Sequence, residues 1–233
     1  MTPDLRSLCA VLTALLGLLG VVPDATAQRV PSPYRYIEAR QEIGAFFGTI
    51  DPGTGRFDFG PRESPLLGVR YSLEISGPFS LEGVARTLPT TRNVIDPRRL
   101  EGDRKIGEAD VLLTSIDARI KFALNGRRTW HGLGPYILLG GGLVFDLAGD
   151  QALDEALDPP DRFGFGTQFL GVLGGGIRWI PADHFQLRAD GVLNLWQLNN
   201  PDGFRDPTRG FEDVSESEWV NGLSVTVGAA IRW

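Results

Sequence analysis

Cysteine and long apolar runs are both scarce in this 233-residue sequence. The one cysteine is Cys9, so the chain beyond the first segment can form neither a disulfide nor a thiolate-bound zinc site. Beyond residue 40 no apolar run reaches the roughly 20 residues that a membrane-spanning helix needs. A bundle of membrane helices is therefore excluded, and stability has to come from apolar burial, strand hydrogen bonds or lipid.

Basic residues are also fewer than acidic residues. The sequence has 23 Lys+Arg against 29 Asp+Glu, for a formal net charge of -6, which argues against a nucleic-acid partner. Its 42% hydrophobic content is that of an ordered protein, and the length fits one domain. No motif in the chain indicates a cofactor.

The first 27 residues have the pattern of a secretory signal. Arg6 precedes the apolar run 8–22, and the small residues Ala25, Thr26 and Ala27 follow before Gln28. An uncleaved anchor is the alternative, but about 15 apolar residues fall short of a bilayer span. We predict a cleaved signal peptide over 1–27, a short periplasmic segment over 28–40 and one folded domain over 41–233.

That domain consists of segments of about ten residues in which apolar and polar residues alternate, a pattern typical of strands. We predict eight strands, at 41–50, 65–75, 79–88, 111–124, 134–147, 166–180, 185–198 and 219–233. The second, fourth and sixth connectors are short, whereas the others, at 51–64, 89–110, 148–165 and 199–218, are long. Short turns on one side and long loops on the other are typical of an up-and-down transmembrane barrel with both termini in the periplasm.

The final strand has the clearest alternation, and it ends on Trp233. Leu223, Val225 and Val227 alternate with Ser224 and Thr226, so one face is suited to lipid. A lipocalin-like barrel would instead hold its apolar face inside, in water-soluble form. The terminal aromatic residue, the loop lengths and a polar face with nearly balanced charges favour the lipid-facing alternative.

The polar faces of these strands would point into a narrow lumen. Eight strands enclose a bore that side chains can fill, and long charged residues there have to pair or keep water. We therefore predict a salt-bridged lumen, with an ion or proton path along the same groups as the alternative. Its members are Arg70, Glu74, Glu82, Arg86, Asp117, Arg119, Lys121, Arg178, Arg188, Asp190 and Arg232.

Other residue groups give weaker signals. The glycine runs 140–142 and 174–176 lack phosphate-loop spacing and indicate bends within strands. The loop with Asp150, Asp154, Glu155, Asp158 and Asp161 lacks calcium-loop spacing and indicates a solvated acidic loop. Aromatic residues near strand ends predict interfacial belts; these are Tyr34, Tyr36, Tyr71, Trp130, Tyr136, Trp179, Trp196, Trp219 and Trp233.

With these residues in view, the region 36–233 resembles the small outer-membrane barrels of the OmpA/OmpX type. The resemblance rests on the stretches 80–83, 134–137, 174–178 and 186–190 and on Trp233. It implies an outer-membrane location and, at Trp233, a C-terminal assembly signal. It also implies, as partners, outer-membrane lipids, lipopolysaccharide and the barrel assembly machinery.

Such a resemblance implies a fold and a location more than an activity. We expect a non-enzymatic membrane protein with a structural role or with binding by its external loops. A narrow pore for small solutes is one alternative. A lipid-modifying barrel enzyme is another, but neither His131 nor His184, the only two histidines, has the pattern of a catalyst, and no serine lies near His131 on the same strand face.

Overall fold

The computed structural model describes residues 32–149 and 151–233. The predicted signal peptide over 1–27 and Asp150 lie outside the described residues. No helix within those two ranges is long and apolar enough to cross a membrane.

Ten antiparallel strands form one sheet in the described chain. Eight long strands follow one another as neighbours, and pairing of the last with the first of them, as at Val227 and Phe47, closes a barrel. This confirms the predicted eight-stranded up-and-down barrel. The strands are β1 (Tyr34–Tyr36), β2 (Gln41–Pro52), β3 (Ser64–Ser76), β4 (Phe79–Ile95), β5 (Lys105–Ala123), β6 (Arg128–Trp130), β7 (Leu133–Asp146), β8 (Thr167–Ala182), β9 (Phe185–Asn199) and β10 (Ser217–Arg232), of which β1 and β6 are the short pair outside the barrel.

The β4–β5 hairpin is longer than the sequence pattern predicted. Its ladder continues through the pair Val94 and Gly107, so most of the predicted loop 89–110 is strand. The pattern missed this extension because alternation weakens here, where Val94 and Ala109 are buried together with Leu157 from another loop. The hairpin therefore extends beyond the barrel wall and supports the loops beside it.

Short helices order two of the three other long loops, those after β7 and β9. The loop after β7 contains α1 (Ala152–Glu155) and a 3-10 turn over Pro159–Asp161. The loop after β9 contains 3-10 turns over Asp202–Phe204 and Pro207–Arg209, the second beginning at Asp206, whose side chain accepts a hydrogen bond from the Thr208 amide.

The two faces of the wall are chemically distinct. Apolar side chains such as Phe47, Leu139 and Ile231 point outward and are each more than 60% exposed. Their neighbours along the strands point inward and are buried, as the pattern of β3 and β10 shows. The predicted outward apolar face is thus confirmed, and the lipocalin-like arrangement is wrong.

The barrel has a turn end and a loop end. The turn end holds the connectors after β3, β5 and β8, and there β1 pairs with β6 through Tyr34 and Trp130. The chain then leaves β1 toward β2, with the Ile37 amide donating to the Arg127 carbonyl. The loop end carries the β4–β5 hairpin and the three loops after β2, β7 and β9.

Candidate functional site: the filled lumen and its loop cap

Arg188 is the centre of a buried ionic network in the half of the lumen nearer the turn end. Its guanidinium contacts both carboxylate oxygens of Glu82, and its Nε lies 2.9 Å from Asp190 Oδ1. Arg70 Nη1 donates to the other oxygen of Asp190 at 2.7 Å. Because β3, β4 and β9 each supply one partner or more, the network ties separate parts of the wall together.

Lys121 and Tyr136 extend this network. Lys121 Nζ lies 2.5 Å from Glu42 Oε1 and 3.5 Å from Glu82 Oε2. The Tyr136 hydroxyl contacts both Asp190 and Arg188. Gly176 leaves room for that ring, since a Cβ there would lie 2.4 Å from the hydroxyl oxygen.

A second group lies farther toward the middle of the lumen. Arg119 pairs with Asp117 on its own strand. Arg86 has neutral partners instead, donating from Nε to Ser115 Oγ at 2.9 Å and from Nη2 to Asn194 Oδ1 at 2.6 Å. The Asn194 amide in turn donates to Ser224 Oγ at 3.1 Å, so Asn194 is bonded on both sides.

Two arginines near the turn end have few anionic partners. Among the described residues, Arg178 Nη2 donates to the Gly126 carbonyl at 3.3 Å and to no other group. Arg232 Nη2 donates to the Ala39 carbonyl at 3.3 Å, and its Nε is 3.7 Å from Glu42 Oε2. Both side chains are buried, and within the described residues only Arg232 has a carboxylate within 4 Å.

We call this assembly the charged layer, and its charge is not balanced. Seven buried cations face four buried carboxylates among the described lumen residues. The cations are Arg70, Arg86, Arg119, Lys121, Arg178, Arg188 and Arg232, and the carboxylates are Glu42, Glu82, Asp117 and Asp190. The predicted lumen set has the same seven cations and also four carboxylates, so the near balance expected from the alternation is wrong.

Most of the predicted lumen residues are brought together in this layer. The exception is Glu74, which lies half-buried at the turn end with Arg127 Nε at 3.0 Å from its Oε1. The sequence pattern missed Glu42, although its position before the outward Ile43 was a usable signal. It also assigned Tyr136 and Trp196 to the interfacial belts, which is wrong, since both are buried inside.

The other aromatic side chains predicted for the belts are exposed on the outer surface. Trp233 lies at the turn end, with its ring 6.5 Å from that of Tyr71. Its backbone oxygen accepts hydrogen bonds from the amides of Arg40 and Gln41. The end of β10 is thereby joined to the start of β2.

Toward the loop end the lumen filling becomes apolar. Inward side chains of the wall, including Ile50, Leu113, Leu170 and Trp196, form one buried cluster that continues into the loops. We call the wall part of this cluster the apolar layer. These four side chains are each at most 3% exposed.

Five phenylalanines from three loops cover the apolar layer, and we call them the aromatic cap. The ring centroids of Phe59 and Phe163 are 4.5 Å apart, and those of Phe204 and Phe211 are 5.5 Å apart. Phe57 lies 4.9 Å from Phe204 and completes the group. Since each loop contributes a ring, the loops form one packed unit.

Ion pairs fix the loops around the cap. Arg92 Nη2 lies 2.6 Å from Asp154 Oδ2, and Asp161 is shared by Arg98 Nε at 2.9 Å and Arg209 Nη1 at 2.6 Å. Asp154 and Asp161 are buried, so the predicted solvated acidic loop is wrong at these two positions. No cluster of three or more metal-ligating side chains occurs within the described part of the chain.

The two histidines lie at the turn end, where each ring has an identified contact. His184 Nδ1 lies 3.0 Å from the Arg232 carbonyl oxygen, and the His131 ring packs edge-on against Trp130. Both residues are in turn-end connectors, as their sequence positions indicated.

Sequence comparison identifies no relative of this chain: no protein-family model matches it, and no curated protein does. Structural similarity is clear, however. The outer membrane protein OprG from Pseudomonas aeruginosa superposes with a TM-score of 0.56 at 15% identity, over 85% of this chain and 98% of that one.

Two further solved structures show the same architecture. Neisserial surface protein A has a TM-score of 0.53 at 12% identity, covering 83% of this chain and 97% of its own. The outer membrane protein AlkL, determined in lipid bilayers, has a TM-score of 0.50 at 12% identity, covering 85% and 92%. The chain therefore has the eight-stranded fold of small outer-membrane β-barrels, as the resemblance to the OmpA/OmpX type implied.

Proposed function

We propose that this protein is an integral outer-membrane barrel without enzymatic activity that presents a rigid loop surface to the outside of the cell. The observation that carries the proposal is the combination of an apolar outer wall with a lumen occupied by buried side chains in both the charged and the apolar layer. Hydrocarbon is a suitable solvent for that wall, where side chains such as Leu139 would otherwise be exposed to water. A filled lumen favours binding at the loops over passage through the barrel.

Within this proposal, the turn end and both chain termini face the periplasm and the loop end faces outward. Outer-membrane lipids and lipopolysaccharide would surround the wall, with exposed rings such as Trp179 and Trp219 at the interfaces. Trp233 and the strand before it would be recognised by the barrel assembly machinery. The packed cap supports a structural or binding role, because a rigid surface loses less entropy on binding.

Cysteine labelling on intact cells tests both location and orientation. In a Cys9→Ser background, Leu100→Cys places a thiol at the tip of the β4–β5 hairpin, where Leu100 is 84% exposed. Asp183→Cys is the matched control in the turn after β8, where the side chain is 80% exposed. A membrane-impermeant maleimide should label only the first variant in intact cells and both after lysis.

Equal labelling of the two variants in intact cells would contradict the orientation, and recovery of the protein in the soluble fraction would contradict the location. Planar-bilayer recording tests the filled lumen, since the refolded protein should give no stable conductance steps. Steady conductance would instead favour the narrow-pore alternative.

A further inference from the structure

The lumen meets a cavity of about 500 Å³ at the turn end. The cavity lies between the segment from β1 to β2 and the turn after β8, and Arg35, Ile37, Asp183 and His184 contribute to its walls. Arg232 also lines it, which places a residue of the charged layer at its inner side. The cavity therefore extends to the charged layer at Arg232.

Three buried side chains at this level have polar atoms without a partner. They are Arg178 at Nε, Arg232 at Nε, and Gln186 at both amide atoms, counting only hydrogen bonds within the described ranges. Gln186 is fully buried. A buried polar group without a hydrogen-bond partner costs free energy. We therefore expect these three side chains to bind a further partner.

The strand register brings these three residues together. Arg178 is paired with Arg188 across β8 and β9, and Gln186 lies two residues from Arg188 on the same inward face. Gln186 is itself opposite Ala230 of β10, two residues from Arg232. Gln186 therefore lies between the two arginines. Each arginine is a diagonal neighbour of Gln186 on an adjacent strand, a separation that a long side chain can span.

A negative partner is favoured because Glu42, the described carboxylate within ion-pairing distance of Arg232, is already shared. Glu42 serves Lys121 at 2.5 Å and also lies within 4 Å of both Arg188 and Arg232. Arg178 has no carboxylate within ion-pairing distance in the described chain, where its one hydrogen-bond acceptor is the Gly126 carbonyl. Buried cations without counter-charge are costly, and the layer as a whole has a surplus of cations.

We propose that the turn end of the lumen binds a small oxyanion, a carboxylate or phosphate group, held by Arg178, Arg232 and Gln186. Guanidinium groups form charge-assisted hydrogen bonds with planar or tetrahedral oxyanions, and the Gln186 amide can donate one more. The anion enters through the turn-end cavity, where it meets Arg232 first. This inference is independent of the role of the external loops.

Calorimetry on the refolded protein tests the site. The full folded barrel in octyl glucoside, a detergent without phosphate, is titrated with inorganic phosphate and, separately, with acetate at constant ionic strength set by chloride. We expect saturable binding at one site. Arg232→Gln should weaken the binding of the better probe by about tenfold, the effect of losing one charged hydrogen bond.

Arg86→Gln is the matched control, since Arg86 is also buried in the charged layer but bonds to neutral groups away from the cavity. It should bind the anion as the unmodified protein does, with folding of each variant checked by heat-modifiable migration on a gel. Arg178→Gln is the second test variant if Arg232→Gln does not fold, and it should weaken binding to a similar extent.

A further titration with phosphatidylglycerol in the micelles separates two sources of the oxyanion. A lipid headgroup as occupant would lower the apparent affinity for inorganic phosphate, whereas a soluble ligand would leave it unchanged; both results support the site. Absence of saturable binding of either probe to the unmodified protein would overturn the proposal. Unchanged affinity in folded Arg232→Gln and Arg178→Gln would overturn it as well.

Discussion

The two halves of the lumen solve the same packing problem by opposite means. Eight strands enclose a bore that side chains have to fill. The charged layer fills it with ion pairs from several strands, such as Arg188 with Glu82 and Asp190. The apolar layer fills it with side chains such as Leu170 and Trp196 and completes the filling with loop phenylalanines.

This difference predicts how substitutions change the stability of each half. Ion pairs are directional, so removing one partner leaves the other charge buried and uncompensated. Apolar packing depends on volume, and neighbouring side chains can partly relax into a gap. The charged layer should therefore fail abruptly on substitution, and the apolar layer and its cap should loosen gradually.

The largest effect is expected at the centre of the charged layer. Arg188→Leu leaves Glu82 and Asp190 without their main partner, and we expect a loss of about 3–5 kcal/mol in the free energy of unfolding. Urea unfolding in detergent, followed by tryptophan fluorescence, measures it. An unfolding midpoint equal to that of the unmodified protein would show that the ion pairs do not hold the barrel.

The aromatic cap should respond differently. Phe59 is 1% exposed in the cap, and Phe59→Ala should cost about 3 kcal/mol of packing, concentrated in the loops. Limited proteolysis should then cut the loops faster while the membrane-protected barrel fragment stays intact. Leu100→Ala, at an exposed tip, is the control and should change neither the rate of loop cleavage nor the barrel fragment. Loss of the barrel fragment in Phe59→Ala would contradict the separation of cap and wall.

Asn194 lies where the two halves meet, and its substitution should have an intermediate effect. Asn194→Leu removes the acceptor of Arg86 Nη2 and should cost about 2 kcal/mol, typical for a hydrogen bond to a charged group. Asn199→Leu, at an exposed position of the same strand, is the control. Equal unfolding free energies of the two variants would mean that the hydrogen bond between Arg86 and Asn194 does not stabilise the barrel.

The smallest effect is expected at the surface of the loops. The Thr208 hydroxyl and amide donate to Asp206 and hold the pKa of that carboxyl below its ordinary value. A lowered pKa in the folded state means that the contribution to stability is present at neutral pH and is lost as the pH falls through that pKa.

Thr208→Val should therefore raise the pKa of Asp206 toward its ordinary value, with the remaining amide bond keeping part of the shift. Thr208→Ser retains the hydroxyl and should leave the pKa unchanged. Carboxyl carbon NMR titration measures both. Identical pKa values in the two variants would assign the shift to the amide alone.

The wall of the barrel was predictable from the sequence because alternation is a local property. The inward placement of Arg188 and Asp190 follows from the outward placement of Leu187 and Ala189, whatever the rest of the chain does. Strand ends were less predictable, since the β4–β5 ladder continues beyond the wall, where burial comes from Leu157 in another loop.

The cap and the partners within the lumen could not be predicted in this way. Phe59, Phe163 and Phe204 come from three loops without periodicity, and only the closed barrel brings them together. The alternation likewise predicted that Arg178 and Arg188 point inward, but it did not predict which carboxylate each would contact. The surplus of cations was already present in the predicted set, but which cations lack a carboxylate became visible only with the pairing distances.

The hydrogen-bonded contact between β2 and β10 has a kinetic consequence. It joins Glu42 to Arg232, so the cylinder closes only when distant parts of the chain meet, and contacts of such long sequence separation are slow to form. Before the barrel closes, the side chains of Arg188, Lys121 and Glu42 cannot all form their ion pairs. Folding should consequently be a single late event in which wall closure and interior pairing occur together.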